Sequence, residues 1–129
     1  MAEPRLLLDT SALLALVFRE PGFEVVVGAL DGAAFGAINQ AELVEIAMRR
    51  GIDPAHAASW ADDLSIPILA FTAPMAARAG ALLAQHRRQG LSLGDAACLG
   101  CAVVLGVPVL TADRAWAALD LPVEVRLIR

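Results

Sequence analysis

The apolar positions of this chain fall into short continuous runs separated by stretches with helical spacing. Leu6-Leu7-Leu8 is the first run and reads as a buried strand, followed from Ala12 to Phe18 by helix formers. Glu20-Pro21-Gly22 marks a turn, and Phe23 to Leu30 resumes a helical pattern that stops at Asp31-Gly32. Ala33 to Ile38 predicts a second buried strand. Asn39 then opens a helix running to Arg49-Arg50-Gly51, with arginines in its last turn and glycine just beyond. Asp53-Pro54 caps a helix over 55–64, and 66–71 reads as a strand that Pro67 confines to an edge or a strand start. Thr72 and Pro74 begin a long helix ending at Arg87-Arg88-Gln89-Gly90, and Ser92 begins another that reaches Leu105-Gly106. Val107 to Leu110 is a strand, 113–119 a short helix, and 123–128 a closing strand by its alternation.

Strands alternating with helices through short connections predict a single α/β domain over 1–129, with a mostly parallel central sheet and helices on both faces. Its 129 residues suffice for one core, and 58% hydrophobic against 19% charged residues excludes a disordered chain. So apolar a small domain is expected to have part of its surface covered by a partner or a second copy. The start of the chain carries Glu3 and Pro4 in place of a basic lead-in, so no secretory signal is expected. The uncharged run from Ala96 to Ala112 approaches membrane-spanning length. Gly100, Gly106 and Pro108 interrupt it, and it reads as a buried helix, a turn and a buried strand. The expectation is a soluble, cytoplasmic protein with no membrane partner.

Chemistry enters with the acids. Asp9 ends the first strand, where open α/β folds hold ligands at the carboxyl edge of the sheet. Glu42 lies in the first turn of the helix after the second strand, and Asp113 follows the strand ending at Leu110-Thr111. Asp95, in the first turn of the helix begun by Ser92, reaches that edge only if its helix starts there. Each acid has a plainer explanation. Asn39-x-x-Glu42 and Ser92-x-x-Asp95 match capping boxes, and Asp9 and Asp113 would favour helix N-termini through the dipole. Taken together, however, they stand beside long apolar runs where unpaired charge is expensive. Four carboxylates in one crevice would repel one another and raise their own pKa values unless a cation held them.

The net charge is −4, and every basic residue is arginine. An acidic total argues against a nucleic-acid binder held by its overall field, but leaves room for a nuclease whose local site is completed by metal. Oxygen donors without a nearby histidine or thiolate suit a hard cation, Mg²⁺ or Mn²⁺. Thr10, Ser11, Asn39 and Thr111 are neutral groups placed to orient ligands or water. Glu45, one turn past Glu42, would support it or instead form a salt bridge on the surface. Cys98-x-x-Cys101 lies inside an apolar helix and reads as packing thiols. His56 and His86 offer no zinc motif and are expected at the surface. Trp60 and Trp116 read as core or interface anchors; Arg87, Arg88 and Arg114 are candidate contacts to phosphates, with solvated helix ends an equal reading of the first two.

Four segments carry a family resemblance: Leu-Leu-Leu-Asp-Thr-Ser-Ala-Leu-Leu-Ala-Leu at 6–16, Ile-Asn-Gln-Ala-Glu-Leu-Val-Glu at 38–45, Leu-Ser-Leu-Gly-Asp-Ala-Ala-Cys-Leu at 91–99 and Val-Leu-Thr-Ala-Asp-Arg-Ala-Trp at 109–116. In this order and spacing the chain resembles the PIN-domain nucleases, specifically the VapC-type toxins of bacterial type II toxin–antitoxin modules. The resemblance implies a Mg²⁺-dependent endoribonuclease with Asp9 and Asp95 as principal metal ligands and Glu42 and Asp113 completing the set directly or through water. It also implies a homodimer and a small cognate antitoxin that wraps the toxin and reaches into its cleft. Two alternatives stand beside it: a housekeeping PIN nuclease, and a non-catalytic interaction module that keeps the fold. A haloacid-dehalogenase-like phosphatase would need an acid two residues after Asp9, where this chain has Ser11.

Overall fold

The computed structural model describes residues 3–129. Five parallel strands form one sheet in the order β3-β2-β1-β4-β5: β1 Leu6–Leu8, β2 Ala33–Gly36, β3 Ile68–Leu69, β4 Val109–Thr111 and β5 Val125–Leu127. The helices are α1 Thr10–Phe18, α2 Phe23–Ala29, α3 Ala37–Arg49, α4 Pro54–Ala58, α5 Trp60–Asp63, α6 Ala73–His86 and α7 Leu93–Leu105. Two 3₁₀ turns, Arg87–Gln89 and Arg114–Ala118, complete the described elements.

Side-chain alternation along β1 divides the core. Leu6 and Leu8 face one layer with Phe35, Leu13, Val26, Leu43 and Trp60, under α1 to α5. Leu7 faces the other with Val109, Leu99, Leu82 and Trp116, under α6 and α7. Helices thus cover both faces, as a parallel sheet requires. No described helix is long and apolar enough to cross a membrane. Gly100 lets α7 press against α6, since a Cβ there would lie 2.7 Å from the Met75 carbonyl oxygen.

Several boundaries differ from the sequence reading. The second strand stops at Gly36, which caps α3, so the helix begins before Asn39. The helix expected over 55–64 is two pieces, joined at Ser59. The edge strands β3 and β5 are shorter than their apolar patterns, with half-buried or exposed residues that have a neighbour on one side only. His86, expected at the surface, is buried, and its Nε2 lies 3.2 Å from the Asp120 carbonyl oxygen. It continues the face of α6 set by Met75, Ala79 and Leu82, so helical spacing carries it into the core. His56 is exposed, its ring edge-on to Trp60.

The strand order locates a crevice. The chain leaves β1 toward β2 on one side, and leaves β4 toward β5 on the other. Between the carboxyl ends of β1 and β4 lies a switch point, which opens because the two connections diverge.

Candidate functional site

A cleft of about 180 Å³ opens at that switch point, and Asp9, Glu42, Asp95 and Asp113 all line it. Each comes from a different element. Asp9 follows β1 and precedes α1, Glu42 sits on α3, Asp95 is in the first turn of α7, and Asp113 follows β4. Leu14 and Ile46 supply apolar wall. The sequence reading does not single out either; the available signal is helical spacing, since Ile46 follows Glu42 by four residues and Leu14 follows Thr10 by four.

Asp9 is the most constrained of the four. It is 4% exposed, and its Oδ2 accepts hydrogen bonds from Ser11 Oγ at 2.7 Å and Thr111 Oγ1 at 2.9 Å. Each hydroxyl is itself held from behind, because Ala112 N–H donates to Ser11 Oγ and Asp113 N–H donates to Thr111 Oγ1. The pair fixes one carboxylate oxygen and leaves Oδ1 without a hydrogen bond among the described residues. Burial pushes the Asp9 carboxyl up from 3.8 to about 6. The Ser11 and Thr111 hydrogen bonds oppose that rise, while the charges of Asp95 and Glu42 add to it.

The plainer capping explanation succeeds for two acids and fails for two. Asp95 forms the box with Ser92: its Oδ2 accepts the Ser92 N–H at 2.9 Å, and Ser92 Oγ accepts the Asp95 N–H at 3.1 Å. Asp113 Oδ1 accepts the Ala115 N–H at 3.1 Å. In each, the second oxygen has no hydrogen bond among the described residues. Asp9 makes no side-chain cap to α1. Glu42 makes none to α3, because that helix starts at Ala37 and the expected box with Asn39 does not form. Asn39 is buried instead, donating to Thr10 Oγ1 at 2.9 Å and tying α3 to α1. Thr10 lines the cleft with Ser11, and its bond from Asn39 holds it there.

Glu45 is not brought to the cluster. It is exposed and pairs with Arg49 at 2.5 Å along the surface of α3. The described ion pairs involve Glu45, Glu20 and Glu124, and none reaches any of the four cleft acids. Arg87, Arg88 and Arg114 are exposed. Cys98 and Cys101 are buried free thiols, and burial pushes Cys98 well above its ordinary value and Cys101 to about 11. Such thiols pack; they do not react.

The cleft therefore gathers negative charge with no cationic side chain against it, presenting only oxygen donors. That chemistry fits a hard divalent cation, which Asp9, Glu42, Asp95 and Asp113 would hold. Among the described residues, no three acidic, histidine or cysteine side chains already stand close enough to enclose one ion. The carboxylates line a common space without converging on a single point.

The description "PIN domain" belongs to the family model that matches residues 6–121. A sequence search of curated proteins finds no match. Among solved structures, the chain is similar to DNA-bound VapBC from Salmonella typhimurium, with TM-score 0.74 and 18% identity over 98% of this chain and 99% of the other. It is similar to VapBC2 from Rickettsia felis bound to a promoter DNA fragment, with TM-score 0.72 and 17% identity over 95% and 97%. It is also similar to VapBC-5 from Mycobacterium tuberculosis, of the VapBC family of toxin-antitoxin systems, with TM-score 0.65 and 22% identity over 98% and 99%. At these identities the likeness is one of fold.

Proposed function

The chain belongs to the PIN domain family, and from that membership we propose that it is a Mg²⁺- or Mn²⁺-dependent endoribonuclease acting in the cytoplasm as the toxin of a type II toxin–antitoxin pair. The observation that carries the reading is the set of four acids lining one cleft, each with an oxygen free and none neutralised by an arginine. A cation held there by Asp9, Glu42, Asp95 and Asp113 would supply polarisation of a water and relief of negative charge on the scissile phosphate.

The chain's own groups have separable parts in this. Asp9, with Oδ2 pinned by Ser11 and Thr111, presents Oδ1 in a fixed direction. Asp95 is oriented by its hydrogen bonds with Ser92 and likewise offers one oxygen. Glu42 and Asp113 complete the acidic lining that would attract the cation, and a free carboxylate oxygen of one of them would accept the proton given up by the attacking water. Leu14 and Ile46 exclude bulk solvent from one wall, which strengthens each electrostatic contact inside. Arg114, exposed directly after Asp113, would contact an RNA phosphate.

Partner proteins are suggested by the surface. Val25, Val27 and Met48 are 47%, 50% and 53% exposed, and Leu93 is 66% exposed. Such side chains suit a homodimer and an antitoxin of the sort with which the similar VapBC proteins are paired. Expression of the wild-type chain should arrest bacterial growth and cleave RNA, whereas Asp95→Asn should do neither. Full toxicity in Asp95→Asn would overturn the reading. A neighbouring gene for a small antitoxin separates the toxin from a housekeeping nuclease.

A further inference from the structure

Glu42 differs from its three companions because no hydrogen bond to a described residue holds its carboxylate. What holds it is a gap. A Cβ built on Gly94 would lie 2.6 Å from Glu42 Oε2, 3.1 Å from Cδ and 3.3 Å from Oε1. The Glu42 carboxylate thus occupies the space that any side chain at 94 would fill, one residue before Asp95 in the first turn of α7. Gly94 has an ordinary helical backbone, so its conformation does not call for glycine. Glycine within a helix is unfavourable relative to alanine. A glycine that costs stability and is not needed for a turn is explained by the group lying over it.

Resting on the metal-site reading above, we propose that Gly94 is a positioning residue: its missing side chain seats the Glu42 carboxylate against α7, beside Asp95, as part of the cation site. The contact is with the far end of a flexible side chain, so alanine at 94 is accommodated by swinging Glu42 aside and the fold is retained. The same substitution should therefore move stability and cation binding in opposite directions. A purely structural role for Gly94 would move them together.

The test uses the full chain and Mn²⁺ alone as the probe. Calorimetric titration of wild type, Gly94→Ala, Glu42→Ala and the double variant should show Gly94→Ala weakening Mn²⁺ binding by roughly 10- to 100-fold, the range ordinary for residues that support a ligand. In the Glu42→Ala background, Gly94→Ala should add less than about a twofold change, and its metal-free melting temperature should not fall. A crystal structure of metal-free Gly94→Ala should show the Glu42 carboxylate displaced. Wild-type affinity in Gly94→Ala, or an unmoved Glu42, overturns the proposal while leaving the nuclease reading intact. Absence of Mn²⁺ binding by wild type, with Glu42 displaced in the variant, sinks the metal site but upholds the seating role.

Discussion

Replacing Asp9 with Asn should stabilise the metal-free protein. Burial holds the Asp9 carboxyl at about 6, against 3.8 for an ordinary one. A difference of about two pKa units corresponds to about 3 kcal/mol of cost for keeping the carboxylate ionised in the folded state. Asparagine keeps the shape and carries no charge, and its side-chain oxygen can still accept from Ser11 and Thr111. The value of about 6 already includes what those hydrogen bonds contribute to the charged form, so the expected net gain is about 3 kcal/mol at neutral pH. The pH dependence has a definite sign. The folded protein binds the Asp9 proton more tightly than the unfolded chain, so the stability this contributes is full below pH 3.8 and lost as pH rises through about 6. The advantage of Asp9→Asn should therefore be near zero at about pH 4, appear between about pH 4 and 6, and level off above about 7. Urea unfolding in EDTA across this range, comparing the two proteins, cancels the groups remote from the cleft and leaves the effect of the Asp9 charge within it. A variant no more stable than wild type at neutral pH, or a difference that does not vary with pH, would refute the electrostatic account of this residue.

Divalent cation should reverse that ranking. At a thousandfold excess of Mn²⁺ over its dissociation constant, wild type should gain about 4.1 kcal/mol, while Asp9→Asn gains little; differential scanning fluorimetry with and without Mn²⁺ reads this directly, and equal shifts would speak against Asp9 as a ligand. Thr111→Val should cost about 1–3 kcal/mol, because it removes a buried donor to Asp9 and strands the Asp113 N–H. Ser11 is only half-buried, so water can replace part of what its hydroxyl supplies. Ser11→Ala should therefore cost less in the same urea titration, and the reverse order would contradict the arrangement of the two hydroxyls.

The strand-helix alternation and the three leucines of β1 made the parallel sheet legible from sequence, because β1 is buried on both faces and needs no polar alternation. The four acids were legible as a set for a related reason. Each stands at the carboxyl end of a strand or near the start of a helix, and parallel topology brings those ends to one edge. Their individual roles were not legible. A capping box depends on where the helix starts, and Gly36 starting α3 took Asn39 out of the cap and into a hydrogen bond with Thr10. Glu45 and Ile46 both follow Glu42 by about one turn, yet only Ile46 lines the cleft, since Arg49 offers Glu45 a partner on the exposed side. His86 is buried, against the surface position its residue type suggests, because its spacing along α6 continues the apolar face. The strand order that makes the β1–β4 crevice a switch point is a tertiary property with no local signature.

If the cleft acids serve a metal-activated water, the ends of the RNA that the purified protein produces will show it. With Mn²⁺ present, the products should carry 5′-phosphate and 3′-hydroxyl ends, and EDTA or Asp9→Asn should abolish them. Cleavage that persists in EDTA and leaves 2′,3′-cyclic phosphates would mean that a ribose hydroxyl does the attacking, and that the four acids have another use.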